Sequence, residues 1–323
     1  KMGTDDFRIR QRSLGPVALN AVLKNNDLKL EAAAPRLEID ATALVAGETP
    51  YLFNGELHIR NSDLALLGFK AANGQSLTGT VAADVTGSGN LKDFAQSHFS
   101  AQIKNLRLQA GSLELHTEEL TRAEYRDNSL EIPAATIVSG NSRLRVSGRV
   151  PLHQPAPPGA LSLKGQMDLA QAAGFALLPE GYTAAGLVNL DLALAGTPQK
   201  PSGSGTITLN GGVLNLPGIQ APLTDIALRA NVRDGSVILQ QADATWDQGK
   251  IALTGEFPLG LLPKNMPVQI PRKEGPAVFS LDITNFRPEA TGKLPQGMSG
   301  LVSLHAEGTA AQTDLRALHA QFD

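Results

Sequence analysis

The chain has 323 residues, no cysteine and a formal net charge of −3, with 28 Lys and Arg set against 31 Asp and Glu. That balance offers no electrostatic grip on a polyphosphate, which argues against nucleic acid as a partner. The missing cysteines remove disulfide frameworks and thiolate metal sites. Aromatic residues are 4% of a chain that is 42% hydrophobic, so its apolar surface is aliphatic and suits acyl chains better than sugars or bases.

No stretch approaches the roughly 20 consecutive apolar residues that a membrane helix requires. The amino end, Lys1-Met2-Gly3-Thr4-Asp5-Asp6, lacks the charged-then-apolar order of a signal peptide. The expectation is a soluble excerpt. Along the chain, segments alternate with period two. Leu144 and Val146 are flanked by Arg143, Arg145 and Ser147; Leu190, Leu192 and Leu194 are interleaved with Asp191 and Ala193. Ile226, Leu228, Ala230 and Val232 enclose Arg229 and Asn231, and Phe279, Leu281 and Ile283 enclose Ser280 and Asp282. This predicts strands with one oily and one wet face. Arg126-Asp127-Asn128-Ser129, Asn210-Gly211-Gly212, Pro217-Gly218 and Arg233-Asp234-Gly235-Ser236 read as turns between them. Short helices are expected only at 168–175 and 313–322, the second in competition with a strand reading.

Internal repetition is the strongest signal. Residues 129–152 match 236–259 without a gap, an offset of 255 − 148 = 107 at the shared glycines, and the blocks opening on Gly79 and Gly186 give 186 − 79 = 107 as well. A further copy opens at Gly300, 300 − 186 = 114 residues on, with the surplus in the Pro-rich connector 258–276, which answers to 151–159. Length variation confined to a connector costs little. Ser62-Asp63-Leu64-Ala65 and Met167-Asp168-Leu169-Ala170 extend the correspondence. The modules are expected at 1–54 (partial), 55–160, 161–276 and 277–323 (partial), one continuous array.

A sheet with one oily face must pack on a second sheet, close into a barrel or curl over itself. One Trp and three Tyr cannot furnish the aromatic girdles of a membrane barrel. The expected fold class is all-β: an elongated, curled, taco-like and largely antiparallel sheet forming an apolar groove. The competing reading is a dry β-sandwich core. By alternation alone the groove is lined by Ile207, Leu209, Leu214, Leu216, Ile226, Leu228, Val232, Val237, Leu239, Ile251, Leu253 and Phe257.

The succession 202–218, then Pro222-Leu223-Thr224-Asp225-Ile226, Arg233-Asp234-Gly235-Ser236-Val237 and 249–255 resembles the TamB and AsmA-like family of envelope lipid-transfer proteins. It recurs in weaker form at 106–148, so the resemblance covers essentially the whole chain. The resemblance implies a periplasmic protein, anchored in the inner membrane by a segment outside this chain. Its β-groove would carry phospholipid towards the outer membrane and support outer-membrane biogenesis. Its partners would be phospholipid acyl chains and an outer-membrane β-barrel of the TamA kind.

The expectation is that the chain is not an enzyme and holds no metal or cofactor. His58, His98, His116, His153, His305 and His319 are dispersed, with no metal-binding spacing. There is no nucleophile elbow, P-loop or dinucleotide fingerprint, and Gly87-Ser88-Gly89 and Gly203-Ser204-Gly205 read as flexible turns. Asp84, Asp191 and Asp282 alternate with aliphatic residues and read as solubilising charges on the wet face. Trp246 is read as either a groove-lip or a packing residue. The alternative function is a structural, chaperone-like spacer that guides outer-membrane proteins by offering sheet edges.

Overall fold

The computed structural model describes residues 2–9, 12–70, 75–111, 113–152, 156–171, 181–197, 200–261, 273–292, 299–310 and 318–322. It is all-β, 75% strand and antiparallel, with no α-helix among the described residues. Two compact units divide it. Lys1–Gly140 and Arg145–Leu161 form the first, Asn141–Leu144 and Ser162–Asp323 the second.

The first unit holds β1 (Met2–Ile9), β2 (Arg12–Lys24), β3 (Asp27–Ala34), β4 (Ile39–Ala46), β5 (Leu52–Asp63), β6 (Thr78–Asn90), β7 (Asp93–Ala110), β8 (Leu113–Thr117), β9 (Thr121–Arg126) and β10 (Ser129–Ser139). From β1 to β7 each strand pairs with the next. The short strands β8 and β9 pair with successive stretches of β7 and also with β10. β11 (Ser142–Pro151) and β12 (Gly159–Asp168) contribute to both units.

The second unit continues with β13 (Thr183–Ala185), β14 (Leu187–Thr197), β15 (Lys200–Asn215), β16 (Leu223–Arg233), β17 (Ser236–Trp246), β18 (Gly249–Pro258), β19 (Ala277–Phe286), β20 (Val302–Ala310) and β21 (Leu318–Phe322). β14 to β21 form an unbroken run of antiparallel neighbours. β17 and β18 begin at 236 and 249 where β10 and β11 begin at 129 and 142, in each case 107 residues earlier. The expected module boundaries at 54/55 and 160/161 fall inside β5 and β12.

Local chemistry sets the hairpins. Asn25-Asn26, Asp127-Asn128 and Asp234-Gly235 all have positive φ at both residues. They join strands in direct register at Lys24↔Asp27, Arg126↔Ser129 and Arg233↔Ser236. Such two-residue turns match the strands' right-handed twist and favour Asn, Asp and Gly. The last two of these hairpins also close alike: the Leu152 N–H donates to the Asn128 carbonyl and the Leu259 N–H to the Gly235 carbonyl, both at 2.8 Å.

Three expected turns are something else. Asn210-Gly211-Gly212 lies inside β15, at a register shift between Leu209 and Gly212; it is a bulge, which uses the same left-handed backbone as a turn. Gly87-Ser88-Gly89 and Gly203-Ser204-Gly205 lie within β6 and β15. Their glycines make room for neighbours: a Cβ on Gly87 would meet the Phe99 ring at 2.4 Å, and one on Gly205 the Asp191 carbonyl oxygen at 2.1 Å. Of the two expected helices, the first holds only a 3-10 turn, Leu169–Gln171, with 172–175 outside the described residues. The second holds strand β21, and 313–317 lie outside the described residues.

Fully buried side chains are few and mostly small, such as Ala83, Ala230, Ala277 and Ala306. Of the larger ones, Leu209 and Leu239 lie within β15 and β17, while Leu37 and Leu64 sit on 3-10 turns and Leu259 follows β18. There Asp63 caps its turn by accepting from the Ala65 N–H at 2.8 Å, and Arg12 donates to the Ala65 carbonyl.

Candidate functional site

Residues directly opposite across an antiparallel pair share a face of the sheet, so the registers assemble the site without further assumption. In the second unit one row runs Val188, Leu209, Leu228, Ala242, Leu253, Leu281, Ala306 across seven strands. A second runs Leu190, Ile207, Ala230, Leu239, Gly255, Phe279, Gly308. Shorter rows hold Leu192, Gly205, Val232, Val237 and Phe257, and Ala244, Ile251, Ile283 and Leu304. Seven strands at about 4.8 Å make an apolar face roughly 29 Å wide.

The twelve residues selected by alternation are thereby located. Ile207, Leu209, Leu228, Val232, Val237, Leu239, Ile251, Leu253 and Phe257 fall in the rows. Leu214 and Ile226 sit where the β15–β16 register shifts, opposite Leu223 and Gly212. Leu216 lies just beyond the rows: β15 ends at Asn215, and the Leu216 carbonyl accepts from the Ile219 N–H in the following turn. The selected set left out Val188, Leu190, Leu281 and Leu304, which complete the rows. Their own period-two patterns were the available signal, since register cannot be read from one strand.

This face is only partly covered. Of the twelve, Leu209 and Leu239 are buried, at 5% and 8% exposure, and the other ten are half-buried. Side chains in a filled sandwich core would be almost wholly removed from water.

Trp246 closes the β17 end of the face. Its ring lies 4.5 Å from that of Phe286, and its indole N–H donates to the Ala221 carbonyl at 3.0 Å. Trp246 is half-buried and packs on Phe286, with its indole N–H satisfied by that acceptor.

The first unit has its own apolar face, with rows such as Ala41, Leu57, Val85, Ala101, Ala123 and Ala43, Gly55, Gly87, Phe99, Tyr125. Here Phe53, Phe94, Phe99 and Tyr125 form a cluster with ring centroids 5.4–6.3 Å apart, seated over the glycines of β6. A 490 Å³ concavity in this unit is lined by Lys29, Thr42, Leu44, Asn54, Glu56, Thr86, Ser88 and His98, together with Ala43, Gly55 and Gly87 of the second of these rows.

The wet faces carry ion pairs. Asp84 lies 2.9 Å from His58 and 2.5 Å from Lys104, Asp191 3.1 Å from Lys164, and Asp282 2.6 Å from His305. Hydrogen bonds from His58 and Lys104 hold the Asp84 carboxyl below the usual carboxylate range, and the hydrogen bond to Asp282 raises His305 above the usual imidazole range. Among the described residues no group of three or more His, Asp or Glu could hold a metal ion, and no helix is long and apolar enough to cross a membrane.

Comparison of the chain with protein-family models, with curated proteins and with solved structures gives no match.

Proposed function

We propose that the apolar sheet faces bind phospholipid acyl chains, and that the chain is a repeat-built segment of a periplasmic lipid-transfer protein serving outer-membrane biogenesis. The observation that carries this reading is the incomplete burial of the aliphatic rows. Leu228, Leu253 and Leu281 stand in one row and none is buried, which in water is unfavourable unless something apolar lies on them.

The magnitudes suit transfer more than storage. A fully buried methylene gains roughly 0.8 kcal/mol. A tail lying on one open face loses water from about half its surface, so about ten methylenes gain roughly 4 kcal/mol, a dissociation constant near 1 mM. Binding of that strength captures a tail and lets it move on. The curled groove, the 107-residue repeat, the inner-membrane anchor and the TamA-like partner belong to the same reading, and the matched starts of β10 with β17 and β11 with β18 support the repeat.

Photo-crosslinking side chains at Leu228 and Leu253, with Arg229 and Thr254 on the other face as controls, test it in cells. The reading predicts lipid adducts at the first two and none at the controls. Protein adducts at Leu228 and Leu253 without lipid would favour the chaperone-like spacer.

A further inference from the structure

The three ion pairs of the wet face occupy one equivalent position. Asp84, Asp191 and His305 are each the fifth residue after Gly79, Gly186 and Gly300. Each meets a partner on the preceding long strand: His58 on β5, Lys164 on β12 and Asp282 on β19. His58 and Asp84 are register partners, as are Asp282 and His305. Lys164 and Asp191 fit the same alignment, because Gln166, two residues after Lys164, bonds Asn189, two residues before Asp191. The sign, however, is reversed in the last pair. In the first two the basic side chain stands on the earlier strand and the carboxylate on the later one; in the third they are exchanged.

We infer that this exchange is a pairing code that keeps β19 from joining the wrong strand. An array of similar modules has near-equivalent partners for every edge, and its characteristic failures are skipped modules and strands swapped between two copies of the chain. If β19 took the place of β12 against β14, Asp282 would stand opposite Asp191. Against β6 it would stand opposite Asp84. Like charges directly opposite each other disfavour a pairing by about two- to fivefold. With His305 opposite, Asp282 is matched.

The flanking charges leave the logic intact. Glu56 lies 3.7 Å from His58 and Glu307 3.6 Å from His305, so both histidines are embraced by carboxylates in their native pairs. Lys104 reaches Asp84 from β7 and softens the clash on β6. The β14 site has no such relief, since the described partner of Asp191 is Lys164, which the misplaced β19 would displace along with β12. The code separates the third pair from the first two and does not separate those from each other.

The chain has no cysteine of its own, so the test is clean. In a β14–β19 mispairing with Asp282 opposite Asp191, Ala193 would stand opposite Ser280. In the native sheet β14 and β19 are separated by β15–β18, about 24 Å, far beyond disulfide reach. The full chain carrying A193C and S280C is unfolded, refolded under oxidising conditions at pH 7, and resolved on non-reducing gels for crosslinked monomer and dimer. The same pair is then placed in a D282H/H305D background, which keeps a matched native pair but gives the third site the sign of the other two. The non-native crosslink should rise about two- to fivefold in that background. D282N, which removes the repulsion without adding an attraction, should give a smaller rise and covers the case in which the double exchange fails to fold. Equal crosslinking in all three backgrounds would overturn the inference.

Discussion

Gly205 on β15 and Leu192 on β14 stand directly opposite each other, and a Cβ on Gly205 would lie 2.7 Å from the Leu192 Cα and 2.1 Å from the Asp191 carbonyl oxygen. With φ at +149°, this glycine is demanded both by its own backbone and by its neighbour's. Gly205→Ala should therefore cost about 2–4 kcal/mol, combining backbone strain with forced separation of the ladder. Gly211→Ala is the control: its φ is +69° but nothing lies within 4 Å of the added Cβ, so the cost should stay near 1 kcal/mol. Urea unfolding of the two variants side by side checks the difference.

A charge placed on the apolar face should have opposite consequences two residues apart. Leu228 is only half-buried, so Leu228→Asp can keep its carboxylate hydrated, leaving the thermal midpoint within a few degrees of the parent while lipid binding falls. Ala230 is 1% exposed, and Ala230→Asp should cost more than about 3 kcal/mol, because an unpaired carboxylate is forced out of water. Circular dichroism melts together with retention of a fluorescent phospholipid separate the two effects.

Stability should carry a histidine signature. Because Asp282, by hydrogen bond and charge, raises His305 above the ordinary imidazole range, the folded state holds that proton more tightly than the unfolded chain. The stabilisation is fully present below about pH 6.5 and is lost as pH rises through the raised folded value. Asp84, Glu131 and Glu256 work the other way. Paired with His58, Arg126 and Lys273 respectively, they are held below their ordinary range, and their contribution is lost as pH falls through those depressed values. The gap in urea midpoint between the parent and His305→Asn should be widest near pH 5.5 and close towards pH 9.

What could be read from sequence was what is local. Period-two alternation located the strands, and Asp127-Asn128 and Asp234-Gly235 marked hairpins because their residues alone favour positive φ. The failures were non-local. Gly203-Ser204-Gly205 looked like a turn, since nothing in those three residues reveals the β14 carbonyl that excludes a side chain. Asn210-Gly211-Gly212 has a turn's backbone but sits in a strand whose hydrogen bonds resume beyond it. Leu216 kept the alternation yet precedes Pro217, which has no N–H to offer a ladder. Of the apolar rows, nine residues were named by their alternation; that they share one face across β15–β18, and that most are only half-buried, depended on register.

Native mass spectrometry of the purified full chain, released gently from a phospholipid-containing detergent-free preparation, bears most directly on acyl-chain binding. The parent should carry bound masses equal to whole phospholipids, and Leu228→Asp with Leu253→Asp should lose them while keeping a folded charge-state distribution. A bare parent that stays bare after incubation with phospholipid vesicles would contradict the account.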